Sequence, residues 1–289
     1  MASQYSLYIP AGYSIEREQI PAKTLQIFIT SVCNKKCRGC FYASHMKGEH
    51  MPLKTYKDLV TKAMAQDQIQ KIVLMGGEPT LHPRVNEMIL LNRALGLKTT
   101  IYTNGTVLQK IHRQDSYEDL TIRVGVLGLS GVEKSLDEVG AHGHKIEICL
   151  MVRRDNMASI SEVARQVERT FGPETPFMTS SIKEIDKTGS FFKNTDESLS
   201  EAEYAAAVNT FLEKYDGNLK VLDICKRGAF LGNSEHNRCR FSNILTDLTR
   251  ITCPLDIAID IKCSKDGFED RPCNKSQSCL LQKFRLKKI

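Results

Sequence analysis

Apolar and polar positions along the chain alternate between two textures. Thr24 to Thr30 (TLQIFIT) is a short apolar, β-branched run of strand type. Lys71 to Met75 (KIVLM), Thr99 to Thr103, Thr121 to Leu129, Lys145 to Val152 and Pro176 to Ile182 repeat it. Between them lie amphipathic stretches of helical type: the segment from Thr55 through Met64, Val85 to Leu95, Val132 to Val139 and Ser159 to Phe171. Thr55 ahead of Asp58 reads as an N-cap, and Ser200 with Glu203 as a capping box for a helix through Tyr215. Strands and helices alternate about six times, which predicts parallel strands joined by crossovers. Six units are too few for an eight-stranded barrel, so the expected fold is α/β, a partial (β/α)6 barrel of TIM-like type. Three regions are expected: an N-terminal extension over 1–23, the barrel over 24–216, and a small cysteine-rich module with a β-hairpin over 217–289. The polar stretch Lys183 to Asp196 reads as a loop.

In such folds chemistry gathers at the C-terminal ends of the strands, and Cys33, Gly77, Asn104 and Ser130 all fall there. Cys33, Cys37 and Cys40 form a C-x3-C-x2-C run directly after the first strand, and Gly76-Gly77-Glu78-Pro79 directly follows the second. Three thiolates can hold three irons of a cubane cluster and leave the fourth iron open to a ligand. Lys35, Lys36 and Arg38 would offset the cluster's negative charge. A zinc knuckle with His45 as its fourth ligand is the alternative. Without side chains, Gly76 and Gly77 let backbone lie against a ligand, and Glu78 supplies an acceptor for an ammonium group; a tight turn with a capping acid is the plainer reading.

Composition narrows the setting. Of 289 residues, 41% are hydrophobic and 26% charged, an ordinary globular balance. The start carries no secretory pattern and no apolar run is long enough to span a bilayer, so a cytoplasmic protein without membrane contact is expected. Ten cysteines in a reducing compartment read as metal ligands before disulfides. Six of them (225, 239, 253, 263, 273 and 279) crowd the last quarter, while Cys149 reads as a buried small hydrophobe. The net charge is +6, with a basic run Lys283 to Lys288 at the end. A solvated, frayed terminus is preferred for it over a nucleic-acid contact. His82, His142 and His144 read as solvated loop residues, and Tyr102 as a packed core tyrosine.

Taken together, Cys33, Cys37 and Cys40, the Gly76 to Pro79 turn, Thr103-Asn104-Gly105 and Ser130 resemble the radical S-adenosylmethionine (SAM) superfamily over Thr24 to Ile182. The resemblance implies a 4Fe-4S cluster on the three cysteines, whose open iron chelates the amino and carboxylate groups of the methionyl part of SAM. It implies that Gly76, Gly77 and Glu78 face the amine, that Ser130 meets the ribose and that Asn104 lines the same pocket. Where the family often has an aromatic residue before the third cysteine this chain has Gly39, so Phe41 is assigned to the adenine. The implied activity is reductive cleavage of SAM to a 5′-deoxyadenosyl radical that abstracts hydrogen from a substrate, with an electron donor such as flavodoxin or ferredoxin.

Nearer the C-terminus, Ile257 to Cys263 alternates like a strand and Asp266-Gly267 is a hairpin turn signal. Cys253, Gly267 and Cys273 are similar in arrangement to the hairpin of SPASM and twitch modules, although the gap after the glycine is one residue longer and the later C-x2-C is missing. The similarity implies one auxiliary iron–sulfur cluster on Cys253, Cys273 and Cys279, with Cys225 or Cys239 as the fourth ligand; Cys263 reads as core, and zinc or free thiols are the alternatives. A peptide, protein or small-molecule substrate is expected by family analogy. A nucleoside or tRNA substrate is the alternative enzyme reading, and a zinc-stabilised binding protein the non-enzyme one.

Overall fold

The computed structural model describes residues 6–16, 22–37, 40, 42–112, 118–127, 145–181, 198–225, 241–251 and 283–289. Its strands are β1 (Tyr13–Glu16), β2 (Thr24–Thr30), β3 (Lys71–Gly76), β4 (Lys98–Thr103), β5 (Leu120–Val126), β6 (Lys145–Val152), β7 (Phe177–Ser181), β8 (Val221–Cys225), β9 (Phe241–Ile244), β10 (Arg250–Ile251) and β11 (Lys283–Lys288). The helices are α1 (Leu53–Asp67), α2 (Val85–Ala94), α3 (Ile160–Phe171) and α4 (Glu201–Lys214). All the strands join one sheet in the order β1-β11-β8-β7-β6-β5-β4-β3-β2-β9-β10. From β9 through β2 to β8 every neighbouring pair is parallel, and the antiparallel strands β10, β11 and β1 finish the two margins. The α/β fold with a largely parallel sheet, expected as a partial barrel, is therefore present.

Alternation along the strands separates the two faces. Leu25, Ile27 and Ile29 of β2 and Ile72 and Leu74 of β3 enter the main core with Tyr56 and Val60 of α1 and Met88 and Ile89 of α2. Phe28, Val73 and Met75 point the other way, into a smaller cluster with Tyr42, Leu245 and Ile251. The main core extends over Ile148, Leu150 and Val152 of β6 to Val163 of α3 and to Tyr204, Val208 and Phe211 of α4.

Six expected strands are present within a few residues of their limits. The expected helix Val132 to Val139, the loop Lys183 to Asp196, and the strand and turn from Ile257 to Gly267 lie outside the described residues. The Ser200–Glu203 capping box is formed. The first helix departs from expectation: it begins at Leu53, with Pro52 rather than Thr55 at the cap and no side-chain cap bond. Proline presets φ for the chain entering a helix and lacks the N–H that a cap would satisfy.

The basic tail is the larger correction. Lys283 to Lys288 is not frayed but forms β11, pairing with β8 on one side and β1 on the other. Lys283 and Arg285 are ion-paired to Asp223 of β8, which is 1% exposed. Strands from both the N-terminal extension and the expected C-terminal module thus belong to the same sheet as the barrel. Among the described residues no helix is long and apolar enough to cross a membrane.

Candidate active site

The loop after β2 carries Cys33, Cys37 and Cys40, all partly exposed. Its shape is local: the Cys40 amide donates to the Cys37 carbonyl (3.4 Å), the Ala43 amide to the Cys40 carbonyl (3.2 Å), and the Lys35 amide to Cys33 Sγ (3.4 Å). Two of the thiols, Cys37 and Cys40, feel their neighbours. Burial pushes Cys37 up, Cys33 adds to the rise, and Lys35 and Arg153 oppose it. Cys40 is raised by burial, with Cys37 and Cys33 contributing against bonds from local backbone. Three thiolates assembled in this way repel one another until a metal centre neutralises them. Among the described residues, no three His, Cys, Asp or Glu side chains converge as ligands of a single ion.

Behind the thiols the glycine turn packs against the same loop. The Gly77 amide donates to the Thr30 carbonyl and the Glu78 amide to the Val32 carbonyl, both at 2.8 Å. A Cβ on Gly76 would lie 2.1 Å from Thr30 O, and the residue has φ +139. A Cβ on Gly77 would lie 2.2 Å from Val32 O and 3.0 Å from Cys33 Cβ. The glycines are thus required for close contact with the cysteine loop's own backbone. This packing is a role for their bareness that the sequence alone did not show.

Glu78 is fully buried. Its Oε1 accepts from the Thr80 amide (3.1 Å), the Thr80 hydroxyl (2.7 Å) and the Thr103 hydroxyl (2.7 Å); its Oε2 accepts from the Asn104 amide (2.7 Å). A carboxylate offers about four acceptor sites, and the protein fills those of Oε1 and makes one bond to Oε2. The side chain locks the end of β3 to the end of β4.

Asn104 continues the link. It donates to Asn34 Oδ1 (3.0 Å), Asn34 donates to Thr106 Oγ1 (2.8 Å), and the Thr106 hydroxyl donates to Asn104 Oδ1 (2.6 Å). This ring ties the residue after Cys33 to the loop after β4. On the other side Tyr42, 2% exposed, anchors the cysteine loop: its ring lies 4.8 Å from that of Phe28, and its hydroxyl pairs with that of Thr246 at 3.0 Å.

The structure brings together Cys33, Cys37, Cys40, Gly76, Gly77, Glu78 and Asn104. Phe41, Ser130, Cys239, Cys253, Cys273 and Cys279 lie outside the described residues. Cys225 ends β8, is 2% exposed, and acts electrostatically on Cys149. Cys149 itself is not packed among the outward apolar residues of β6. It shares the inward face with Glu147, and burial pushes its thiol up to about 12. His82 is also not solvated; at 3% exposure its Nε2 lies 2.9 Å from the Met51 carbonyl, and burial lowers its pKa. Asn34, Tyr42, Thr106 and Arg153 were not anticipated. Arg153 directly follows a strand, and that position was the available signal for it.

A strand-end thiol triad locked to a glycine–acid turn defines a class, and comparison with known proteins agrees. Residues 27–147 match the model of the Radical SAM superfamily. It is similar to 7-carboxy-7-deazaguanine synthase of Halobacterium salinarum, 35% identical over 99 residues, or 33% of this chain and 37% of that protein. It is similar to GTP 3′,8-cyclase of Chlorobaculum tepidum, 26% identical over 238 residues, or 79% of this chain and 63% of that one. The chain thus spans less than two thirds of the length of either relative. In fold it matches SuiB of Streptococcus suis, solved bound to the precursor peptide SuiA, with a TM-score of 0.67 and 17% identity over 85% of this chain and 63% of that one.

Proposed function

We propose that the protein cleaves SAM reductively at a 4Fe-4S cluster held by Cys33, Cys37 and Cys40, and uses the resulting radical on a substrate bound inside the partial barrel. The observation that carries this reading is the pair of 2.8 Å bonds seating the Gly77–Glu78 turn on the cysteine loop, at the C-terminal ends of adjacent strands. When bound and reduced, the cluster supplies the electron that breaks the sulfonium C–S bond, and the 5′-deoxyadenosyl radical so released takes a hydrogen atom from the substrate. The protein's own part is positioning. Glu78 holds the turn so that the partly exposed backbone of Gly76 and Gly77 meets the methionyl amine. Arg153, whose charge reaches Cys37, favours the methionyl carboxylate. Asn104 keeps the loops after β2 and β4 in register around the ligand. Phe41 and Ser130 are assigned to the adenine and ribose. The barrel domain over 24–216, the cytoplasmic setting and a flavodoxin or ferredoxin donor belong to the same reading.

The test is anaerobic reconstitution followed by reductant and SAM. The wild-type protein yields 5′-deoxyadenosine, and Cys37→Ala does not. Undiminished cleavage by that variant refutes the assignment. An auxiliary cluster on Cys253, Cys273 and Cys279 with Cys225 or Cys239 is proposed as a further element: about eight irons per chain support it, and about four remove it.

A further inference from the structure

Three polar side chains stand in a row on the face of the sheet turned away from α1 to α4. On β4, β5 and β6 the residues that enter the main core are Ile101, then Ile122 and Val124, then Ile146 and Ile148. Alternation along each strand therefore puts Tyr102, Arg123 and Glu147 on the other face. The register makes them neighbours: Tyr102 lies beside Arg123, and Arg123 beside Glu147.

Their bonds form one chain. Arg123 donates to Glu147 Oε2 through Nε (2.9 Å) and Nη2 (2.5 Å), and to the Tyr102 hydroxyl oxygen through Nη1. Its guanidinium carbon lies 4.8 Å from the centroid of the Tyr102 ring. The row borders open space, since the Arg123 and Glu147 side chains are 14% and 15% exposed. Gly125, the next residue of β5 on this face, is exposed, and a Cβ there would meet nothing closer than Thr103 O at 3.7 Å. The place is next to the cysteine site. Tyr102 and Cys40 pack against the same small apolar cluster, and Tyr102 immediately precedes Thr103, whose hydroxyl bonds Glu78.

What the row leaves unused decides its partner. Of the five N–H groups of a guanidinium, Arg123 uses three. The Tyr102 oxygen accepts from Arg123, so its own proton points to another acceptor. Among the described residues nothing donates to Glu147 Oε1, because both guanidinium bonds end on Oε2. Donors and an acceptor thus face the same space, and the two charges are matched to each other. An anion would satisfy the donors but meet the Glu147 carboxylate. A cation would satisfy Glu147 but meet the guanidinium. An amide carries an acceptor oxygen and a donor N–H on separate atoms and has no charge, so it satisfies both without repulsion.

Resting on the radical SAM reading, we propose that the substrate carries an amide group, whose oxygen accepts from Tyr102 and Arg123 and whose N–H donates to Glu147. A peptide bond and a ring lactam share this chemistry.

The experiment uses reconstituted full-length protein with SAM present. Binding of N-acetylglycinamide, 2-pyrrolidone, acetate and methylammonium is followed by saturation-transfer NMR. The expected result is binding of at least one amide and of neither ion. N-acetylglycinamide alone assigns a peptide-like substrate, 2-pyrrolidone alone a ring lactam, and both together an amide of either kind. Binding of no amide, or tighter binding of either ion, overturns the proposal. Two conservative variants locate the probe. Tyr102→Phe loses only the hydroxyl and weakens amide binding about fivefold. Glu147→Gln leaves the Arg123 charge unmatched, so amide binding weakens and acetate binds, a gain that a purely structural Glu147 would not produce. Amide binding unchanged in both variants also overturns the proposal, and the wild-type probes decide where a variant does not fold. Iron-replete protein that makes 5′-deoxyadenosine but binds neither amide refutes the amide site alone; iron-replete protein that binds an amide but makes none refutes the enzyme reading alone.

Discussion

Glu78→Gln separates two roles for the acid of the glycine turn. As a lock, Glu78 accepts four hydrogen bonds from Thr80, Thr103 and Asn104 in a fully buried site. Glutamine keeps one oxygen for the Thr80 and Thr103 donors, but its amide nitrogen must then face the Asn104 N–H, donor against donor. The lost charged bond is worth about 1.5–3 kcal/mol, and the unsatisfied amide adds about 1–3 kcal/mol. Rotation of the two threonine hydroxyls recovers part of this, leaving a net loss of about 3 kcal/mol. For a chain of this size that lowers Tm by roughly 6–10 °C. The assay is paired: urea or thermal unfolding of the metal-free chain, and SAM affinity of whatever fraction reconstitutes. The lock predicts a large fall in stability and poor cluster retention, with affinity nearly normal in the folded fraction. Unchanged unfolding with SAM binding weakened tenfold or more (about 1.4 kcal/mol) would refute it and make Glu78 a direct partner of the amine.

Three further outcomes are expected. Gly77→Ala drives a methyl into Val32 O at 2.2 Å, so the cysteine loop must shift; overpacking costs about 1–3 kcal/mol, and iron content after reconstitution falls below half, whereas full iron loading contradicts the packing. Asp223→Ala leaves Lys283 and Arg285 without their buried partner; because both cations retain solvent access the loss is about 2–3 kcal/mol, short of a fully buried pair, and hydrogen exchange should quicken first in β11. His82 is held neutral because burial lowers its pKa from 6.5; the unfolded chain takes up the proton more readily, so stability is full above pH 6.5 and declines as pH falls below it, and His82→Gln should flatten that limb of the denaturation profile.

The strands that sequence reasoning found share a trait: each is a short apolar run bounded by a turn signal, like KIVLM before Gly76-Gly77. Two of those it missed hide their pattern behind charge. In β8 (VLDIC) an aspartate interrupts the apolar run, and in β11 (KFRLKK) cations fill one face. Each looks soluble until the other is placed beside it, and sixty-two residues separate Asp223 from Arg285. Cys149 was expected to be buried, and burial does raise its thiol; what the run alone did not show is that it lies with Glu147 on the half-exposed face of β6, opposite the buried Ile148. The thiol triad and glycine turn were legible as chemistry because their spacing is local. What the glycines touch was not, since it depends on the register of β2 against β3.

The strand β11 also shields a sheet margin. Without it Asp223 loses both of the cations that pair with it, and β8 presents open amides and carbonyls to any passing strand. Deleting Lys283–Lys288 would leave a bare, acidic margin, prone to pair with the wrong partner.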